Sequence, residues 1–117
     1  MSKAVSFLPR LVRILLTLAF VAAGGAKLAG AAPMVAVFDA IGAGQWFRYV
    51  TGGIEVIGAA LLWVPGLALP GAGLLVATMM SAVIAHLAIL GPSFVPALVL
   101  GLLAAYAGWT ARHGSTG

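Results

Sequence analysis

From Val56 to Ala111 the chain contains no Asp, Glu, Lys or Arg. A water-soluble domain carries roughly a quarter of its residues as charges, so a stretch of this length without one has no face to turn to water. In lipid the same stretch is stable as helices, which satisfy their backbone groups internally. The whole chain agrees: of 117 residues, 63% are hydrophobic and 7% charged, and mean hydropathy is +1.19. That is enough for three or four spans of ~20 residues and too little for an added soluble catalytic domain.

Pro65-Gly66, Pro70-Gly71 and Gly91-Pro92 interrupt the apolar run, and such pairs mark turns. They predict spans at 48–64, 71–90 and 94–111. A further apolar run, Ile14 to Ala26, lies between Arg13 and Lys27, whose side chains can snorkel to opposite headgroup layers and extend that span to 9–29. Its basic start and the following Ala29-Gly30-Ala31 imitate a cleavable signal; the reading taken is a retained helix. Four spans with tight turns predict an all-α membrane protein, an antiparallel four-transmembrane-helix bundle in one domain over 1–117. Between the first two spans, Pro33 suits a first helical turn, and Met34, Val37, Phe38 and Ile41 recur at helical spacing. They predict a short interfacial helix over 33–43, followed by the aromatic and cationic anchors Trp46, Phe47, Arg48 and Tyr49.

In lipid, helices meet through small residues spaced four apart. Gly73, Ala77, Ser81 and Ala85 on the third span, and Ala97, Gly101 and Ala105 on the fourth, are the expected contact faces.

Among the ionisable residues of the spans three matter, Lys27, Glu55 and His86, because a charge at mid-membrane costs at least ~2.5–3.5 kcal/mol. Depth along each helix, at ~1.5 Å per residue, puts all three in one layer near the outer leaflet, with Arg48 above Glu55. The expectation is one buried polar cluster of Lys27, Arg48, Glu55 and His86, with Lys27 or Arg48 as the counter-ion of Glu55. Three roles stay open: a structural ion pair, a ligand site, or proton transfer. His86 reads more readily as a satisfied core histidine than as a metal ligand. His113 lies nearly a membrane thickness away, which argues against a bis-histidine haem within one chain. Metal-ligand spacings, nucleophilic triads and phosphate loops are absent, so no catalytic residue is assigned. With no cysteine, thiol redox chemistry and iron–sulfur ligation are excluded. The net charge of +4 is scattered and forms no basic face for nucleic acid.

Ala22-Ala23-Gly24-Gly25-Ala26-Lys27-Leu28, the stretch Gln45 to Ala59 with its Thr51-Gly52-x-x-Glu55-x-x-Gly58 core, and Ala85-His86-Leu87 together resemble the DoxX-like family. The resemblance covers nearly the whole chain; its specific part is the Gly-Lys-Leu ending of the first helix with the Thr-Gly-x-x-Glu-x-x-Gly second helix. It implies four membrane helices and a small protein of the bacterial inner (plasma) membrane. Family members are associated with a thiosulfate to quinone oxidoreductase and with membrane complexes of oxidative-stress defence, and related eukaryotic chains look like receptor assembly chaperones.

The expected function is a membrane subunit or binding module associated with redox, quinone-linked proteins. It would hold a quinone or other small hydrophobic ligand near Lys27, Glu55 and His86. The alternative is a non-enzymatic assembly factor that clasps other membrane proteins; a transporter is disfavoured, since no inverted repeat is evident. The expected partners are the bilayer, another membrane or redox protein, and a second copy in a homo-oligomer. The chain shows no electron carrier of its own, so catalysis by it alone is not expected.

Lys3, Arg10, Arg13 and Arg112 lie on the terminal side and only Lys27 and Arg48 on the other, which places both termini in the cytoplasm. A reporter enzyme joined after Gly117 should be active in its cytoplasmic form; activity only outside would reverse the orientation.

Overall fold

The computed structural model describes residues 3–91 and 93–113, and among these every regular element is helical. In chain order they are α1 (Lys3–Ala29), α2 (Ala32–Ile41), α3 (Trp46–Leu61), α4 (Ala68–Ala85), a π-helical turn (His86–Leu90) and α5 (Val95–His113). Pro92 and the side chains of Lys3 and His113, used in the sequence reading, lie outside the described residues.

Three segments are long and apolar enough to cross a bilayer: Phe7–Ala29, Ala68–Leu90 and Val95–Arg112. Their outward faces are apolar; Leu18, Ile84, Leu87 and Leu102 are 62–67% exposed, a surface that water would not tolerate. α3 has its polarity turned inward. Arg48, Gly52, Glu55, Gly58 and Ala59 are its buried face, while Val50, Ile57 and Trp63 just beyond its end look outward.

α1 packs on α3, α3 on α4, α4 on α5, and α5 back on α1, around a core that includes Leu16, Phe20, Leu62 and Leu75. Because apolar exclusion does not drive helices together in lipid, close backbone approach must. Two glycine pairs provide it. A Cβ on Gly24 would meet the Gly52 carbonyl oxygen at 2.8 Å, and one on Gly52 would meet the Gly24 oxygen at 2.9 Å. At the other crossing, a Cβ on Gly58 would meet Leu75 Cδ2 at 2.9 Å, and one on Gly71 would meet the Gly58 oxygen at 2.9 Å. α3 is thus pressed backbone to backbone against α1 near one end and against α4 near the other.

Two expectations change. Gly73, Ala77 and Ser81 are exposed, as is Ala105 on α5; α4 instead buries Gly71, Ala72, Leu75 and Met79, and α5 buries Ala104 and Ala107 beside the expected Ala97. The Gly58–Gly71 crossing sets the rotation of α4, and small residues at four-residue spacing occur on two of its faces. Pro70-Gly71 is not a turn either; both lie in the first turn of α4, where the N–H that proline lacks would be unpaired in any case. The break before α4 sits at Trp63 to Leu67, with Gly66 at φ +82.

The adjacent glycines Gly52 and Gly53 separate close approach from helix propensity. Gly52→Ala must push apart α1 and α3 and should lower stability by about 1–3 kcal/mol. Gly53 faces open space, so Gly53→Ala should be neutral or stabilising by up to ~1 kcal/mol. Thermal unfolding of the two variants in detergent reads the difference.

Candidate functional site

The Gly24–Gly52 contact fixes what lies one turn away on each helix. Lys27 Cβ is beside Gly52 and Glu55 Cβ beside Gly24, so the two side chains lie diagonally across the contact. The four-carbon stem of Lys27 spans that offset, and its Nζ reaches Glu55 Oε1 at 2.8 Å. Glu55 is 1% exposed and Lys27 14%. In a medium of low dielectric, neither charge is tolerable without the other.

Arg48 is not the counter-ion. Its guanidinium packs against Gly30, donates to the main-chain oxygen of Lys27, and sits 4.3 Å from the Tyr49 ring centre. It therefore serves the C-terminal end of α1, where helix carbonyls lack partners and positive charge is favoured. Arg13 does the same for α3 at the opposite end: it donates to the Leu62 carbonyl at 3.3 Å and lies 4.5 Å from the Trp63 ring centre. Each of the two helices lends an arginine to the last turn of the other.

The sequence reading missed Gln45. Its amide donates to the Val35 carbonyl at 3.1 Å and to Asp39 Oδ1 at 2.7 Å, while its Oε1 accepts from Arg48 Nε at 2.7 Å. It clips α2 to the start of α3. A glutamine between a helix and an aromatic anchor gives no signal by itself; only the fold brings Val35 and Asp39 to it.

Beneath α2 lies a cavity of about 450 Å³, bounded by α2, α3, α4, the π-helical turn and Lys27 at the end of α1. Met34, Val37, Phe38 and Ile41 form its roof, with Phe38 edge-on to Phe47 at 5.8 Å between ring centres. Pro33 starts that roof helix, and Gly42 ends it in the left-handed conformation, its N–H donating to the Phe38 carbonyl. Lys27, Glu55 and His86 all line the cavity, whereas Arg48 does not. Val50, Leu74, Ala77 and Ser81 line it too and are exposed on the flank, so it opens sideways between α3 and α4.

His86 begins the π-helical turn, and its carbonyl accepts from Gly91 N at 3.0 Å. Gly91 at φ +83 closes the helix here, and the Gly91-to-His86 hydrogen bond makes a loop one residue longer than in the α-helix expected to run on to residue 90. His86 Nδ1 lies 2.8 Å from the Ala82 carbonyl, so that nitrogen carries the proton and donates. Among the described residues no three His, Cys, Asp or Glu side chains converge as a metal site would require. The arrangement suits binding of a mostly apolar molecule against a few fixed polar groups.

A family model described as the DoxX-like family matches residues 11–108, which include the whole cavity lining. No curated protein matches the chain, and no solved structure does.

Removing one member of the buried pair strands the other. Lys27→Met or Glu55→Leu alone should each destabilise the fold by about 3–5 kcal/mol, whereas the double variant should lose much less than the sum. A double-mutant cycle on unfolding in detergent measures the coupling; additive losses would mean that the pair does not couple.

Proposed function

The chain belongs to the DoxX-like family of membrane proteins, and from that premise we propose that it is a membrane-embedded binding module for a small hydrophobic ligand, serving redox, quinone-linked partner proteins. The cavity carries this reading: about 450 Å³, roofed by α2, open on the flank, and holding Lys27, Glu55 and His86 in an otherwise largely apolar lining. An opening on the flank lets a ligand enter from lipid. With no electron carrier evident in the sequence, a partner supplies electrons, and the module presents or stores the lipid-soluble species.

In the same proposal α3 is the fourth crossing of an antiparallel bundle with both termini in the cytoplasm of a bacterial cell, and α2 lies along the outer face of the plasma membrane. Arg13 and Lys27 on α1, and Arg48 and Leu62 around α3, are each fourteen steps apart, about 21 Å at ~1.5 Å per residue. The arginine stems extend that span toward the ~30 Å hydrocarbon thickness by snorkelling. Tyr49 at one level and Trp63 at the other sit where interfacial aromatic residues belong.

A second reading has one observation in its favour. Gly73, Ala77 and Ser81 form a small-residue stripe on the exposed face of α4, suited to close packing by a helix of another membrane protein, as an assembly factor or a homo-oligomer would use it.

Organic extraction of the purified protein, followed by mass spectrometry, tests the binding reading. The protein should carry a lipid-soluble compound in near-stoichiometric amount, and Ala77→Phe, which fills the cavity from its exposed side, should lose it while staying folded. An Ala77→Phe protein with the same extract as the parent would refute it.

A further inference from the structure

The polar groups around the cavity are not balanced between donors and acceptors. Thr51 Oγ1 donates to the Phe47 carbonyl at 2.8 Å, Thr78 Oγ1 to the Leu74 carbonyl at 2.8 Å, and Ser81 Oγ to the Ala77 carbonyl at 3.0 Å. A hydroxyl has one proton to donate, so each of these three lining residues has spent its donor on its own helix and offers the cavity lone pairs alone. His86 has done the same with Nδ1, and an imidazole that donates through one nitrogen keeps the other as an acceptor unless a second proton is added. Glu55, a carboxylate paired with Lys27, only accepts. Lys27 is the one lining side chain with donors left over, and one of its protons is directed at Glu55.

We propose that the cavity selects a lipid-soluble hydrogen-bond donor, a hydroxyl compound on an aryl or long alkyl body, over molecules that offer only carbonyl or ether oxygens. The inference rests on the reading that this cavity holds an apolar ligand, and it adds which polar chemistry that ligand bears. A ligand with two carbonyl oxygens finds Lys27 for one and faces acceptor oxygens with the other, leaving a buried acceptor unpaired. In the corresponding dihydroxy compound one hydroxyl oxygen can accept from Lys27, and the hydroxyl protons are donated to the acceptor groups. Where the ligand is a quinone-type molecule, the reduced form is the one held.

The test uses the purified full chain in detergent and two probe pairs, each differing only in the donor: a decyl-substituted phenol with its methyl ether, and a decyl-substituted hydroquinone with its benzoquinone. Equilibrium binding should favour the hydroxyl member of each pair about tenfold or more, the discrimination of one to two hydrogen bonds. The combined variant Thr51→Val, Thr78→Val, Ser81→Ala removes the three hydroxyl acceptors with little change of shape, leaves those of His86 and Glu55, and should shrink the preference severalfold while the ether still binds. Thr78→Val alone, whose hydroxyl bonds only within its own helix, gives a second measurement should the combined variant fold poorly, and should narrow the preference in the same direction. Equal binding within each pair, tighter binding of the ether or benzoquinone, or a preference that no variant alters would overturn the inference while leaving the cavity reading intact. Binding of none of the four probes would overturn the cavity reading itself, and the inference with it.

Discussion

The close contact between α1 and α3, backbone on backbone at Gly24 and Gly52, is what the other features of this structure presuppose. In lipid such an approach gains dispersion contacts that bulkier residues would forbid. It also sets the axial register of the two helices. With that register, Lys27 can reach Glu55, Arg48 can reach the end of α1, and Arg13 can reach the end of α3. Any slide of one helix along the other would break all three at once. These polar contacts therefore reinforce a single alignment, a role for buried charge better supported than a net gain in stability.

Burying Arg48 and Glu55 on α3 constrains the rest of the chain. Two charges on one face of an apolar helix are tolerated away from water only where that face is covered, and here it is covered by α1 on one side and α4 on the other. α4 in turn needs α5, whose Gly101 and Gly108 come close to Met79 and Ala72. α2 has a different place. It packs lightly on α1 and α3 and rests on the π-helical turn, fastened through Gln45 rather than by a glycine crossing. The cavity is the space left where α3 and α4 are roofed by this lightly attached helix instead of by another long one.

That origin explains the cavity's chemistry. Hydroxyl side chains in an apolar helix satisfy their protons on the carbonyl four residues back, as Thr51, Thr78 and Ser81 do. A space between such helices is lined by oxygen lone pairs and hydrocarbon. Its donor comes from Lys27, which is there because Glu55 must be paired. The ion pair and the acceptor-rich lining thus arise from one condition, the lack of water to satisfy either.

Much of this was written in the sequence. The charge-free run from Val56 to Ala111 demands helices in lipid, because helices satisfy their backbone without water and the run lacks the polar alternation of barrel strands. Proline and glycine positions mark most of the breaks, and the spacing of Met34, Val37, Phe38 and Ile41 marks α2. The three residues Lys27, Glu55 and His86 stand out through the energy of placing charge or polarity in a span. The tertiary structure alone decided how these parts engage. Which small-residue face of α4 turns inward depends on the Gly58–Gly71 crossing, and a stripe such as Gly73, Ala77 and Ser81 looks the same in sequence whether it is buried or bare. That Lys27 and not Arg48 neutralises Glu55 depends on a register set by backbone contact at Gly24 and Gly52. The cavity and the role of Gln45 belong to no local pattern, since their parts lie on segments that only packing brings together.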